Sequence, residues 1–157
     1  MKNAVLPHLR ATNGGQVINI GSMAGLAGTP SEGMYSATKF ALEGYTETLW
    51  REVRRFNVAV SLIEPGDCKT PFVLSPVVQP LDCYRQIYQP LLKARATAMQ
   101  NAVEPVHIVD QIARLIDRPS RRLRHLIGRE KWELNLTTYL PESIREWIAR
   151  RYFRLDE

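Results

Sequence analysis

Residues 16–20 read QVINI and residues 58–63 read VAVSLI, two short apolar runs on either side of a long helical stretch. Both runs are rich in β-branched residues and end at glycine or proline, which is typical of buried strands. Between them, residues 34–56 predict a helix whose apolar positions recur every seven residues, at Tyr35, Leu42, Leu49 and Phe56. Small residues form a second stripe on this helix, at Ala37, Ala41, Gly44 and Thr48. Strand, helix and strand in this order predict a βαβ unit and an α/β fold with a parallel sheet.

Weaker patterns predict further elements along the chain. Helices are expected over residues 1–10, 82–89, 91–100, 106–117 and 142–152, and another strand over residues 123–127. Four prolines interrupt residues 71–103, so this segment is expected to be irregular apart from its two short helices. No internal repeat is visible, which favours a single unit.

The composition is that of an ordinary globular domain. The chain has 157 residues, 45% hydrophobic and 24% charged, which suffices for one domain with its own core. Residues 11–31, the longest uncharged run, hold five glycines and are unsuited to spanning a membrane. Two cysteines and three scattered histidines favour neither a disulfide scaffold nor a metal site. The N-terminus lacks the apolar stretch of a signal peptide, and we expect a soluble, cytoplasmic protein.

The basic character of the chain is concentrated near its end, because most of the net charge of +5 lies in residues 111–157. Such a surface can meet nucleic acid or anionic lipid, but no aromatic residues interleave the arginines of residues 118–124. We therefore favour a solvated surface and no nucleic-acid partner. The last helix, residues 142–152, alternates apolar residues with arginines. It either lies in a membrane interface or packs on its own core, and the second alternative is the more common.

Three residues carry the chemistry of this sequence: Ser22, Tyr35 and Lys39. Tyr35 and Lys39 are four positions apart at the start of the predicted helix, so they share one face. A phenol holds its proton too tightly for acid–base work near neutral pH, and an ammonium group one turn away favours the phenolate. Ser22 follows the first strand, where its hydroxyl can bond the same substrate oxygen. The trio suits interconversion of an alcohol and a carbonyl compound, for which a hydride cofactor is needed.

Context decides between chemistry and packing here, because a Tyr and a Lys at helical spacing are by themselves more often a surface pair. Ser22 lies thirteen residues before Tyr35, in a glycine-rich loop directly after a buried strand. Glu64, at the end of the second strand, is expected to be an ordinary strand-end residue rather than a second general acid.

Three stretches together resemble the short-chain dehydrogenase/reductase family: VINIGSMAG at residues 17–25, YSATK at residues 35–39 and PGDCKT at residues 65–70. The resemblance implies the last strands and helices of a Rossmann-type, doubly wound parallel sheet. It implies that Tyr35 is the general acid/base, that Lys39 assists it and binds the nicotinamide ribose, and that Ser22 orients the substrate oxygen. It also implies a loop that contacts the nicotinamide and the diphosphate of NAD or NADP, at Pro65, Gly66, Cys68 and Thr70.

The same resemblance implies a division of the chain and a class of substrate. Residues 1–128 would form the C-terminal part of the Rossmann domain, with residues 71–103 as a variable substrate lid, and residues 129–157 would form a helical extension. The substrate would be a small alcohol, ketone or aldehyde, and an apolar one is suggested by Met23, Leu26, Tyr84 and Tyr88. The helices flanking the first strand correspond to the dimer face of the family, which implies a homo-oligomer.

One feature departs from the family pattern. The glycine-rich turn Thr-Gly-x-x-x-Gly-x-Gly, which cradles the diphosphate at a helix N-terminus, is not found in this sequence. We therefore expect an NAD(P)-dependent oxidoreductase in truncated form. The alternative is a non-catalytic remnant or interaction module that keeps the fold without binding the cofactor.

Overall fold

A parallel three-stranded sheet forms the centre of the computed structural model, which describes residues 2–70, 85–128, 140–153 and 155. The strands are β1 (Gly15–Ile20), β2 (Val58–Pro65) and β3 (Arg124–Ile127), in the spatial order β1-β2-β3. In this register Ile20 lies beside Ile63 and Leu62 lies beside Arg124. The central strand β2 is buried along nearly its whole length, as its almost continuous apolar sequence predicts.

Helices connect and cover the strands. They are α1 (Lys2–Ala11), α2 (Gly33–Val53), α3 (Arg85–Gln100), α4 (Pro105–Asp117) and α5 (Glu142–Tyr152), with short 3-10 helices at Met23–Gly25 and Arg54–Phe56. Local chemistry sets several of these ends. Asn13 and Asn57 adopt left-handed backbone angles (φ 53° and 56°) after α1 and after the second 3-10 helix. Asparagine tolerates this conformation well, and it turns the chain from each helix into the following strand.

The apolar core lies between α1, α2 and the sheet. Its buried members are Leu6, Leu49, Val53, Val58 and Val60. Leu9, Val17, Trp50 and Phe56 pack around them with partial exposure. The indole N–H of Trp50 also donates to the carbonyl of Arg121, 3.2 Å away, and so ties the C-terminal half of α2 to the segment before β3.

The buried face of α2 differs from the one predicted. Leu49 is buried as expected, but Tyr35 and Leu42 are only half-buried. The small residues Ala37 and Ala41 are exposed, as expected of a stripe left open to solvent or to a partner chain. The buried positions of the helix include three polar residues, Ser36, Glu43 and Thr46. These polar groups have partners. Nδ2 of Asn19 donates to Oγ1 of Thr46 at 2.9 Å, and the Thr46 hydroxyl donates to the carbonyl of Leu42 at 2.6 Å.

Other predicted elements are confirmed with shifted ends or corrected. The expected helices over residues 82–89 and 91–100 form one continuous helix, α3, with Pro90 inside it. The N-terminal part of the predicted lid, residues 71–84, and the stretch 129–139 lie outside the described residues. Helix α5 has the predicted bounds and exposes Trp147 by 60%. No residue of α5 is buried in the described part of the chain, so the expected packing of this helix on the core is at most partial.

Two global features concern membranes and metals. None of the helices that the structure describes is long and apolar enough to cross a membrane. Within the same residues, no group of three His, Cys, Asp or Glu side chains is placed as metal ligands would be.

Candidate active site

The predicted site residues lie at the carboxyl edge of the sheet, where β1 and β2 end side by side. The N–H of Gly21, directly after β1, donates to the carbonyl of Ile63 at 2.7 Å. The N–H of Gly66, directly after β2, donates to the carbonyl of Ile127 at 2.8 Å. These bonds continue the strand pairing past the strand ends, so the two following loops leave the sheet from fixed positions. In open α/β sheets, ligands bind at this edge.

Lys39 joins α2 to the end of β1. Its ammonium group donates to the carbonyls of Ile20 and Gly21, at 3.2 and 3.1 Å. Partial burial lowers the pKa of Lys39 from its ordinary value, because desolvation disfavours the charged form. The two carbonyl dipoles hold the cation at the strand end and fix its direction.

Tyr35 lies on the same face of α2 as Lys39, as the spacing of four residues predicted. The ammonium nitrogen of Lys39 is 5.6 Å from the centre of the Tyr35 ring, within the range of a cation–π contact. Both side chains are half-buried. The structure therefore brings together the phenol and the cation that the proposed chemistry needs.

Ser22 directly follows Gly21, whose carbonyl accepts from Lys39, and so lies next to the lysine at the end of β1. Its backbone is extended (φ −169°), and its hydroxyl oxygen accepts from the N–H of Ala24 at 3.2 Å, which caps the first 3-10 helix. A hydroxyl that accepts one bond keeps its own proton and a second lone pair for another partner. Ser22 is linked to Lys39 through the carbonyl of Gly21, the residue before it.

Gly25 sets how closely the Ser22 segment approaches α2. A Cβ atom at Gly25 would lie 3.0 Å from the carbonyl oxygen of Lys39 and 3.3 Å from Cγ of Glu43. A side chain at this position would therefore force the loop or the helix to move by a few tenths of an ångström. The loop after β1 lies directly against the turn of α2 that carries the lysine.

The loop after β2 is bonded to the segment that precedes α4. Cys68 forms a parallel bridge with Val103, in which the N–H of Lys69 donates to the carbonyl of Val103 at 3.0 Å and the N–H of Val103 donates to the carbonyl of Asp67 at 3.1 Å. Burial, together with the negative charge of Glu104, raises the pKa of the Cys68 thiol. Thr70 is exposed at the end of this stretch. Thus Pro65 and Gly66 lie at the end of β2, with Gly66 bonded to β3, while Cys68 pairs with the segment before α4.

Sequence reasoning did not find a buried charged cluster next to this edge. Glu64 of β2 is 0% exposed, and Glu43 of α2 is buried one turn after Lys39. Arg124 of β3 donates to Oε2 of Glu43 and to Oε2 of Glu47, both at 2.9 Å. Glu43 and Glu47 are four residues apart on α2, which shows that they share a face, but nothing in the sequence shows that the face is buried or that Arg124 reaches it.

The charges in this cluster shift the protonation of its members in opposite directions. Burial, a hydrogen bond to Glu43 and the negative charge of Glu43 raise the pKa of Glu64 to about 9, which the positive charge of Arg124 only partly offsets. Burial disfavours the charge of Arg124, but its bonds to Glu47 and Glu43 outweigh this and raise its pKa. Burial and the neighbouring Glu43 thus both disfavour the ionised form of Glu64.

Comparison with known proteins identifies the class of protein that has this fold and this edge. Residues 1–76 match the family model described as short chain dehydrogenase. The chain is 31% identical over 161 residues to the 3-ketodihydrosphingosine reductase of Bacteroides thetaiotaomicron, with 99% of this chain and 60% of that protein covered. A short-chain dehydrogenase from Streptomyces avermitilis superposes with a TM-score of 0.72 and 28% identity, over 95% of this chain and 54% of that one.

The fold extends to more distant members of the same class. A short-chain dehydrogenase from Burkholderia cenocepacia, solved in complex with NADP, has a TM-score of 0.68 at 20% identity, over 95% of this chain and 52% of that one. The resemblance to the short-chain dehydrogenase/reductase family is therefore confirmed, as is the predicted Rossmann-type α/β fold. It spans between half and two thirds of the length of these relatives.

Proposed function

We propose that this chain takes part in NAD(P)-dependent oxidoreduction of an alcohol and the corresponding ketone or aldehyde. One observation carries the proposal: Tyr35 and Lys39 lie together, with the cation 5.6 Å from the ring, at the carboxyl edge of a parallel sheet. Similarity to the short-chain dehydrogenases supports the reaction class, and a relative named as a keto compound reductase agrees with it.

The residues divide the work by their chemistry. The Tyr35 hydroxyl gives its proton to the carbonyl oxygen as an alcohol forms, or takes the proton from the alcohol in the opposite direction. The nearby Lys39 cation stabilises the negative charge that this leaves on the Tyr35 oxygen. The Ser22 hydroxyl donates to the same substrate oxygen and fixes its position, since its own lone pair already accepts from Ala24.

The residues present fit the nicotinamide end of the cofactor. An ammonium group has three donors, and the described residues take up two of those of Lys39, which leaves the third for a ribose hydroxyl. Pro65 and Gly66 lie at the neighbouring strand end, and we assign them, with Cys68 and Thr70, to the loop beside the nicotinamide and the diphosphate. When bound, the nicotinamide supplies or accepts the hydride. The 157 residues contain no glycine-rich turn of the family's diphosphate-binding kind, so the loop after β2 is the part of this chain that we assign to the diphosphate.

We also keep the predicted organisation as part of the proposal. Residues 71–103 cover the substrate, residues 1–128 form the Rossmann part, and residues 129–157 form an extension. Met23 and Leu26, both half-buried beside Ser22, favour an apolar substrate. The cytoplasm is the compartment we propose for this activity.

A titration with NADH and with NADPH tests the cofactor half of the proposal. The 157-residue chain is titrated with each nucleotide, and binding is followed by calorimetry. Saturable binding that Lys39→Met weakens supports the proposal. If neither nucleotide binds, this chain is not by itself a cofactor-binding unit.

The Tyr35→Phe variant tests the chemical half. Because only the phenolic oxygen is removed, nucleotide binding should stay within about twofold while ketone reduction, followed by NADH or NADPH absorbance, falls roughly 10²- to 10⁴-fold. Tyr45→Phe is the matched control, since Tyr45 is an exposed tyrosine on the same helix. Equal rates in Tyr35→Phe and Tyr45→Phe would refute the assignment of the acid/base.

A second candidate function is a non-catalytic interaction module, and the outer face of α2 favours it. Met34 is 83% exposed on this face, and Phe40 and Tyr45 are nearly half exposed beside the small residues Ala37 and Ala41. Such a surface suits contact with a second copy of the chain. We therefore propose a homo-oligomer under either function, to be measured by sedimentation velocity at several protein concentrations.

A further inference from the structure

Glu64 is the most deeply buried ionisable group at the carboxyl edge of the sheet. It is 0% exposed and directly precedes Pro65 and Gly66. No N–H or hydroxyl group among the described residues donates to either oxygen of its carboxyl group, and the same holds for Oε1 of Glu43. An ionised carboxylate without a donor is very costly in such a place, because it has lost its water and gained no partner.

The neighbouring charges are already paired with one another. Arg124 lies 2.8 Å from Oε2 of Glu43 and 2.9 Å from Oε2 of Glu47, and Glu47 also forms an ion pair with Arg51. The second oxygen of Glu43, Oε1, therefore accepts no hydrogen bond from these arginines. Glu64 interacts with Glu43 through a side-chain hydrogen bond and through charge. Two carboxyl groups form such a bond only when one of them holds a proton.

The other elements packed around Glu64 supply no further charge to it within the described residues. From α2 the charged groups on this side are Glu43, Glu47 and Lys39, and the Lys39 ammonium is directed to backbone carbonyls of β1 and of the residue after it. From β3 the charged group is Arg124. The first 3-10 helix, which reads MAG, contributes none.

Glu43 and Glu64 both adjoin the candidate active site. Glu43 follows Lys39 by one turn, and the backbone of Gly25 fits between the Lys39 carbonyl and Glu43 Cγ. Glu64 is the last residue before the loop that begins Pro65-Gly66. A bond between the two carboxyl groups therefore joins the lysine-bearing turn of α2 to the end of β2.

We propose that Glu64 carries a proton at neutral pH and donates it to Oε1 of Glu43, and that this bond makes Glu64 a positioning residue for Lys39 and the Ser22 segment. The bond holds α2 against the strand ends while the proton is present. Loss of the proton places two carboxylates against each other and releases that turn. The positioning part rests on the proposed function of Tyr35 and Lys39, whereas the protonated pair does not.

The protonation state is tested directly on the 157-residue chain without any nucleotide. At pH 7 the infrared spectrum should contain the carbonyl band of a protonated carboxylic acid, and Glu64→Gln should remove it. Glu52→Gln is the matched control, because Glu52 is an exposed glutamate on α2, and the band should persist in it. Absence of the band from the unmodified protein would overturn the proposal.

The pH dependence of unfolding gives a second readout. Since the pKa of Glu64 in the folded chain lies above its ordinary value of 4.5, the folded state holds a proton that the unfolded state has lost. The stability that this proton contributes is therefore fully present below pH 4.5 and is lost as the pH rises toward 9. Over this range the group raises the unfolding equilibrium constant by up to about tenfold per pH unit. Glu64→Gln keeps a neutral donor to Glu43, so it should fold and show a flatter dependence over the same range.

The positioning role has its own spectroscopic readout. Amide signals of residues 21–25 and of Lys39 should shift along the same titration in the unmodified chain and stay constant in Glu64→Gln. If the infrared band is present but these signals do not move with it, Glu64 is protonated without positioning the site, and the proposal is overturned in that part. A chain that shows both readouts but binds no nucleotide would instead refute the proposed function alone.

Discussion

Replacing Gly25 by alanine perturbs the contact between the Ser22 segment and α2 with one added methyl group. The new Cβ would lie 3.0 Å from the carbonyl oxygen and 3.1 Å from the carbonyl carbon of Lys39, and 3.3 Å from Cγ of Glu43. The first two atoms belong to the backbone of a helix and cannot rotate away. The loop must therefore withdraw from the helix by a few tenths of an ångström, or the helix must shift.

The magnitude follows from the cost of overpacking. An extra methyl group in a well-packed place costs about 1–3 kcal/mol. For a domain of this size each kcal/mol lowers the melting temperature by roughly 2–4 °C. Gly28→Ala is the matched control, because nothing lies within 4 Å of a Cβ built there. That substitution should be neutral or stabilise the chain by up to about 1 kcal/mol, since alanine restricts the unfolded chain more than glycine does.

Urea unfolding followed by far-ultraviolet circular dichroism measures both variants against the unmodified chain. Gly25→Ala should shift the midpoint to lower urea without changing the slope, and it should also displace the Lys39 side-chain signal in a spectrum of ¹⁵N-labelled lysine. If Gly25→Ala is as stable as Gly28→Ala and the lysine signal is unmoved, the close approach of the Ser22 segment to α2 is wrong.

Two further substitutions test the sheet. Leu62 is 0% exposed in the central strand, so Leu62→Ala should cost about 2–5 kcal/mol in urea unfolding, whereas Leu92→Ala, at an exposed position of α3, should change stability by no more than about 0.5 kcal/mol. Burial lowers the pKa of His125 below its ordinary value of 6.5. The stability that its neutral form contributes is present above pH 6.5 and is lost as the pH falls below that value, and His125→Gln should flatten this acid limb; an unchanged limb would contradict the burial of the imidazole.

The strands and the order of the elements could be predicted from the sequence because their signals are local. QVINI and VAVSLI are apolar and β-branched, and Asn13 and Asn57 follow the preceding helical segments. A strand buried on both faces leaves this trace in its own residues, and the structure extends β2 only to Pro65. These two runs predict the parallel pair β1 and β2, and the weaker run at residues 123–127 predicts the third strand.

The candidate site was predictable only in part. The spacing of Tyr35 and Lys39 fixes their shared face of α2, since positions four apart on a helix are neighbours. The bonds of Lys39 to the carbonyls of Ile20 and Gly21 cross from one element to another, and their atoms belong to the backbone. Any residue type offers a backbone carbonyl, so the sequence alone could not predict that Lys39 is bonded to the residues before Ser22.

The polar inner face of α2 was missed for a related physical reason. Hydrophobic periodicity assumes that a buried helix face is apolar, and it holds for Leu49 and Val53 in the second half of α2. It fails for Glu43 and Thr46, because each is hydrogen-bonded to a residue distant in sequence. Arg124 lies 81 residues from Glu43, and pairing over such a separation is visible only once the chain has folded.

The two halves of α2 have different roles: the C-terminal half packs in the apolar core, and the N-terminal half holds the candidate site residues. Its C-terminal half contributes Leu49 and Val53 to the apolar core, which supplies the non-directional part of the folding energy. Its N-terminal half presents Tyr35, Lys39 and Glu43 to the strand ends, where directional bonds fix each group. Truncation in the apolar half should therefore lower stability at every pH, whereas a change in the polar half should alter how stability depends on pH.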